Sequence, residues 1–375
     1  MQNLFDIDNG ERENLGITKC ASCGRLGSPD SPKLLHNGSG GKRILLVGSQ
    51  PTKKDDETGT LANSSFWTRV ELLLRSHNIH MLRDCWIMNS VACHGASPNP
   101  KHIECCNPAL RKFIDDNNPR LILAFGMDAT RALLDWKKDF GGIQKWRGFT
   151  IPQSCYVCPM FGELDFHEEN EAVNTLFRMD FENALSMYGM EPPQISCEVE
   201  VSDDIEYFMD KPVVAFDYET TGLKPDASGH RIVSCSLSDG DRTIAFMLDN
   251  RNMERLKTFL VSDVAKVAAN MKFEEAWSRV YLGVKVKNWL HDTMLMSHVL
   301  DNRRGITSVK FQAYVRYGIS DYDSEIAPFL KAEVDNGNAF NRIDEIPVDK
   351  LLEYNGMDAF IEYHVYQDQM KEYGL

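Results

Sequence analysis

Residues 213–223, VVAFDYETTGL, run an unbroken apolar stretch straight into two acidic residues, Asp217 and Glu219. A short apolar run bounded by turn residues reads as a buried strand. Positions i and i+2 of a strand project to the same face, so the two carboxylates stand side by side. Like charges so placed repel unless a cation lies between them. The pattern DxE is common, however, and an ordinary strand running out into polar loop residues has the same appearance. Taken alone, it leaves both readings open.

Two further segments bear on the choice. KVAANMKFEEAW (266–277) reads as a strand, then Asn270, then a helix carrying Glu274 and Glu275. LLEYNGMDAF (351–360) reads as a helix with Tyr354 and Asp358 four residues apart, hence on one face. Ahead of both, and after the DxE strand, lie RIVSCSLS (231–238) and RTIAFML (242–248), two alternating runs that suggest an antiparallel meander, and the chain beyond about residue 252 is mostly helical in pattern.

The order and spacing of the three acidic segments resemble the DEDDy exonucleases, in particular the proofreading domain of family A DNA polymerases. That family shows DxE, then NxKxD, then YxxxD, and here these are Asp217 and Glu219, then Asn270 to Glu274, then Tyr354 and Asp358. HDTMLMSHVL (291–300) resembles the helix between the second and third motifs, with Asp292 in its acidic position. The resemblance spans roughly residues 195–375 and implies a ribonuclease H-like fold. It also implies two Mg²⁺ or Mn²⁺ ions held by Asp217, Glu219, Glu274 and Asp358, with Tyr354 orienting the attacking water. One departure stands out: the family's second-motif Asp is Glu274 here, one methylene longer. Mg²⁺ demands near-ideal octahedral geometry, so weakened cleavage and a preference for Mn²⁺ are expected.

The first half alternates strands and helices. KRILLVG (42–48), DCWIMNSVAC (84–93), RLILAFG (120–126) and FTIPQSCYVC (149–158) read as strands. Residues 65–77, 108–118, 127–136 and 169–189 read as helices. Such alternation implies a parallel sheet covered on both faces. GMEPPQISCE (189–198), with paired prolines and no apolar period, reads as a linker. The expected division is residues 1–190, a linker at 191–198, and residues 199–375.

Ten cysteines accompany an opening segment, MQNLFDIDNGEREN, that is polar and acidic rather than signal-like, and no apolar run is long enough to span a membrane. An intracellular, cytoplasmic setting is therefore expected, where clustered cysteines bind metal or fill core more often than they pair. Cys20 and Cys23 form a CxxC, Cys93 closes a strand, and Cys105 and Cys106 open a helix. Four thiolates gathered this way suit zinc or an iron–sulfur cluster. Cys155 and Cys158 form a second CxxC on an expected core strand and read as core.

CASCGRLG, KRILLVGSQPTKKDDETG, WIMNSVACHGASPNP and CCNPALRKFIDDNNPRLILAFGMDATRALL together resemble the iron–sulfur branch of the uracil-DNA glycosylase superfamily, over roughly residues 17–187. The resemblance implies a three-layer α/β/α domain with a [4Fe–4S] cluster on Cys20, Cys23, Cys93 and Cys106. Cys106 is preferred to Cys105 because the family's Cys precedes x-P-x-L, as in Cys106 to Leu110. Three excision motifs of the family are altered. Ser49 stands at the acidic position, Gly59 to Ser64 replace the motif whose Phe stacks on the flipped base, and Cys158–Pro159–Met160 fall where a His is usual. Base excision needs those groups, so this half is expected to hold DNA without excising a base, with Lys42, Arg43, Lys53 and Lys54 clustered at the phosphate-facing loop.

A formal net charge of −14 argues against a grip on DNA by bulk electrostatics. The chain as a whole is expected to trim DNA 3′ ends, single strands above all, as a proofreading activity. Its arrangement resembles the front part of certain bacteriophage family A polymerases, which implies a separate DNA polymerase as partner and, for a phage protein, the host cytoplasm. An active uracil or damaged-base glycosylase with an attached exonuclease is a second reading, and a non-catalytic DNA-binding replisome scaffold a third.

Overall fold

The computed structural model describes residues 18–166 and 170–374. The opening segment and Glu169, at the start of the last helix expected in the first half, lie outside the described residues. The chain divides between Pro193 and Gln194 into two compact units.

The first unit is built on a five-stranded sheet in the order β2-β1-β3-β5-β4. Its strands are β1 (Ile44–Gly48), β2 (Cys85–Asn89), β3 (Leu121–Phe125), β4 (Ile151–Pro152) and β5 (Tyr156–Met160). β1 pairs with β2 and β3, and β3 with β5, all in parallel, while β4 lies antiparallel on the edge. Every residue of β1 and β3 is buried, which is why both read as continuous apolar runs: a parallel strand covered on both faces needs no alternation. The Ser65–Ser76 helix turns Phe66, Trp67, Val70 and Leu74 inward. Phe66 and Trp67 meet Phe125 edge-on, and Phe177 joins the same cluster from the Glu171–Ser186 helix.

Three expected boundaries move. The strand at 84–93 stops at Asn89, because Ser90 and Val91 turn to bond back to the Gly48 and Ser49 carbonyls; Cys93 therefore sits on a loop. The strand at 149–158 is two short strands, folded on each other through a turn in which Gln153 N–H donates to the Cys155 carbonyl. Pro152 has no N–H for a ladder and belongs on an edge. The helix expected from Pro108 begins at Pro100, so Cys105 and Cys106 lie inside it rather than opening it. Asn99 caps it through the His102 N–H at 3.0 Å, and Pro100 occupies the first turn, where a missing N–H costs nothing.

The four basic residues expected to cluster do not. Lys42 and Arg43 precede the start of β1, while Lys53 and Lys54 open the Lys53–Thr58 helix beyond its other end. The length of the strand separates the pairs.

The second unit has a six-stranded sheet in the order β11-β10-β7-β8-β9-β6. These are β6 (Val199–Val201), β7 (Val213–Thr220), β8 (Ile232–Ser238), β9 (Thr243–Met247), β10 (Ala265–Ala268) and β11 (Trp289–Asp292). β7, β8 and β9 form the antiparallel meander; β10 joins β7, and β11 joins β10, in parallel. β11 is a strand of four residues with little apolar signal, and the sequence reading of residues 291–300 as helix holds only from Thr293.

One long helix, Val348–Tyr373, crosses β7, β8 and β9. β8 explains how it approaches so closely. Cys235 and Leu237 enter the core beneath the sheet, whereas Ser234 and Ser236 face the helix and donate to Oδ1 and to the carbonyl of Asn355, at 2.9 and 2.8 Å. Gly356 is needed for the same reason: a Cβ there would lie 2.3 Å from Val199 Cγ1.

Candidate functional site

The end of β7 delivers the first two carboxylates. Asp217 and Glu219 alternate with buried Tyr218, whose hydroxyl is tied to Ser278 Oγ at 3.0 Å. The long helix brings Asp358 opposite them, and Asp217, Glu219 and Asp358 each offer an oxygen within 4.8 Å of the others. Glu219 and Asp358 are buried. Asp217 is fixed by Asn355, whose amide donates to Oδ2 at 2.8 Å.

This environment opposes negative charge. Burial, and then the Asp358 carboxylate, push Asp217 up to about 8, while Lys310 and Asn355 pull it back. Burial followed by the Asp217 charge raises both Glu219 and Glu274 well above the usual carboxylate range. Hard divalent cations take oxygen ligands of this kind. The donor set fits one.

Glu274 is buried on the Met271–Trp277 helix, close enough to Asp217 to feel its charge but outside the group of three. Its Oε2 has no hydrogen-bond partner. The helix is launched by Asn270 at φ 62°, a left-handed conformation that Asn tolerates. Asp292 clamps this launch: its carboxylate accepts from the Asn270 and Met271 N–H groups and also caps the next helix at Leu295. Asp292 is thus committed to backbone, and Glu275 to Trp289 and Val286.

Tyr354 lies one turn before Asp358, buried and stacked on Tyr322 with ring centroids 6.0 Å apart. Beside Glu219 a groove opens, lined by Leu223, Phe273, residues 330–337, Ala339 and Asn341. Leu223 is 72% exposed there, an apolar side chain at the lip of a carboxylate centre.

Sequence reasoning missed four residues of this site. Asn355 and Glu362 share the inward side of the long helix with Tyr354 and Asp358. Polar residues at i, i+1, i+4 and i+8 of one helix are a detectable signal. Glu362 is 1% exposed, its Oε2 is unpartnered, and burial raises it far above its ordinary value. Lys310 and Tyr322, which bond to Asp358 at 2.5 Å each, carry no signal in their own segments.

In the first unit, Cys20 and Cys23 occupy a one-turn helix, Cys93 a loop and Cys106 the Pro100–Asn117 helix. All four line one cavity, walled by Leu35, Met88, Val91 and Leu110, and Cys105 does not line it. Burial pushes Cys106 up to about 11, with Cys23, Cys93 and Cys20 adding to the effect. The Lys33 N–H donates to Cys93 Sγ at 3.3 Å, and Arg25 braces the loop through the Cys93 and Ala96 carbonyls and Gln50. Zinc with sulfur at about 2.3 Å requires thiolates roughly 3.8 Å apart. Among the described residues no three of these sulfurs lie within 4.8 Å of one another. Cys155 and Cys158 are buried in the core, and burial raises Cys155 to about 12.

A second pocket of this unit is lined by Ser49, Phe66, Trp67, Asn89, His94, Phe125, Asp128 and Glu163, among others. Ser49 Oγ donates to Asp128 Oδ2 at 2.6 Å. Ala62, at the position of the family's stacking Phe, packs against the hydrophobic core and lines none of it.

A family model described as 3′–5′ exonuclease matches residues 192–373, and one described as the uracil DNA glycosylase superfamily matches residues 35–169. A type-4 uracil-DNA glycosylase of Thermotoga maritima is 30% identical over 138 residues, covering 36% of this chain and 70% of the relative. Among solved structures, Brucella melitensis NrnC is 16% identical over 47% of this chain and 81% of its own, with a TM-score of 0.35. The catalytic core of RRP6 from Trypanosoma brucei is 14% identical over 48% of this chain and 49% of its own, with a TM-score of 0.37.

Proposed function

The chain belongs to the uracil DNA glycosylase superfamily by its first half and carries a 3′–5′ exonuclease domain in its second, and on that premise we propose that it removes nucleotides one at a time from DNA 3′ ends. The observation that carries this is the convergence of Asp217, Glu219 and Asp358 within 4.8 Å. These three would hold Mg²⁺ or Mn²⁺, and Glu274, buried within reach of the Asp217 charge, would complete the set. Divalent ions bound there would supply a water of lowered pKa and would neutralise charge on the phosphodiester oxygens.

The chain's own residues do the rest. Asn355 fixes Asp217 in one orientation. Tyr354 places its hydroxyl to orient the attacking water. Leu223 and Phe273 offer an apolar seat for the terminal base, which every nucleotide can use because each base has an apolar face. Glu274, longer by a methylene than the aspartate of related sites, slows the reaction and favours Mn²⁺.

For the first unit we propose a [4Fe–4S] cluster on Cys20, Cys23, Cys93 and Cys106 with a structural role, in a domain that docks DNA without excising a base. Ser49, uncharged at the acidic position, and Ala62, a methyl group where the family's stacking Phe stands, support this. A separate DNA polymerase as partner would make the activity proofreading; copurification from the native source without any polymerase would count against that.

Incubating a 5′-labelled single strand with Mg²⁺ or Mn²⁺ tests the main reading. A one-nucleotide ladder shrinking from the 3′ end is expected, and internal cuts or no cleavage would overturn it. One observation favours a second reading, an active glycosylase: Asp128 puts a carboxylate into the pocket beside Ser49. Free uracil released from a labelled duplex, and lost in Asp128→Ala, would establish it.

A further inference from the structure

The carboxylate centre has a cation of its own. Lys310 is the second residue of the Val309–Tyr317 helix, whose start is fixed by the Ser308 side chain accepting from the Phe311 N–H. Its ammonium crosses to the long helix and donates to Asp358 Oδ2 at 2.5 Å. The other oxygen, Oδ1, accepts from the Tyr322 hydroxyl, also at 2.5 Å. The ammonium lies 4.8 Å from the Tyr354 ring centroid and 5.7 Å from that of Tyr322. The Lys310 side chain is 22% exposed, against 5% for Asp358. Both oxygens of Asp358 are therefore engaged, one of them by a full positive charge.

Asp358 is also one of the three carboxylates that converge on a common point. An ammonium and a divalent cation on the same carboxylate repel each other at short range, and in a buried centre little water screens them. Of the two partners of Asp358, Lys310 is the one able to leave: its charge sits on a flexible four-carbon stem, and part of the side chain is exposed. Tyr322 is neutral and has no such conflict.

We propose that Lys310 is a displaceable counter-ion of this centre, holding Asp358 until a divalent cation takes its place. The proposal rests on the reading of the centre as a divalent-cation site. It makes Lys310 a positioning residue that competes with the metal. The carboxylates stay ordered without metal, and metal affinity is lower than the carboxylates alone would give.

The test is a titration of Mn²⁺ into the chelator-treated full chain at fixed pH, following free Mn²⁺ by electron paramagnetic resonance. Binding is counted as that part which Asp217→Ala removes. Two mutually exclusive occupants of one carboxylate are coupled as any two ligands are, typically by about 5- to 150-fold. Lys310→Met, similar in length and uncharged, is expected to bind Mn²⁺ about tenfold more tightly than wild type. Lys310→Arg, which keeps the charge, and Tyr322→Phe, which removes the neutral partner, are expected to stay within about twofold of wild type. Should Lys310→Met not fold, Lys310→Gln carries the same expectation. Unchanged or weaker binding in the uncharged variant overturns the proposal while leaving the metal site standing. Absence of any Asp217-dependent binding in wild type overturns the metal reading itself, and this proposal with it.

Discussion

The two units gather their chemical groups in opposite ways. In the second, Asp217 and Glu219 stand at the end of a central strand and Asp358 on a helix 26 residues long, so backbone regularity fixes their spacing. In the first, Cys20, Cys23 and Cys93 lie on a one-turn helix and a loop, and only Cys106 on a long helix. A centre built from strand and helix can keep its shape without an occupant, provided something offsets the charge, and here Lys310 does so. A cavity framed by loops depends more on what fills it. The carboxylate site should therefore tolerate loss of metal, and the thiol site should not tolerate loss of its group.

The sharpest break of this contrast is Asp358→Asn, which keeps the shape and removes a ligand charge. It is expected to slow cleavage by about 10³-fold, the upper scale for losing one group that stabilises transition-state charge, while leaving the fold intact by circular dichroism. Asn355→Ala comes next. It strips Asp217 and Ser234 of a buried partner and should cost about 1–3 kcal/mol of stability in denaturant titrations. Activity should fall by roughly 10- to 100-fold, as for other groups that orient a metal ligand. Glu274→Asp should raise the rate in Mg²⁺ by roughly threefold to tenfold, since octahedral geometry is strict; a slower variant would contradict the reading of Glu274.

A smaller effect concerns pH. Asp217 is raised from 3.8 to about 8 in the folded protein, so the folded state holds its proton where the unfolded chain has lost it. That contribution to stability is complete below about pH 4 and disappears as pH rises through about 8. In chelator the thermal midpoint should fall by roughly 2–4 °C per pH unit across this window, and Mg²⁺ should flatten the slope. The smallest expected effect is that of Cys93→Ser on the exonuclease. Absorbance near about 400 nm from an iron–sulfur centre should vanish, while the cleavage rate stays within about twofold, as for sites that act independently. A large loss of cleavage would mean that the units are coupled.

What was legible in the sequence follows the same division. Strand and helix periods put Asp217 and Glu219 on one face and Tyr354 and Asp358 on another, while their union in one site was implied by the family resemblance. Asn270 was read between a strand and a helix, and the structure puts it there in a left-handed conformation that Asn tolerates. The expectation of a glycosylase-like α/β/α unit joined to a ribonuclease H-like exonuclease unit agrees with the family matches. Illegible were the contacts that depend on how helices pack. Lys310 reaches Asp358 across 48 residues of chain and Tyr322 across 36, and neither segment has a pattern announcing a partner. Asp292 was legible as an acidic position but not as a backbone clamp, since β11 has only four residues. Cys93 was misplaced onto a strand because the apolar run continues past Asn89, where the chain turns back toward Gly48 and Ser49.

The most direct test is mass spectrometry of the first product released from a uracil-containing single strand in Mg²⁺, with wild type and Asp217→Ala side by side. Nucleoside 5′-monophosphate from wild type alone is the predicted result. Free uracil as the first product, or the same mononucleotide from both proteins, would contradict it.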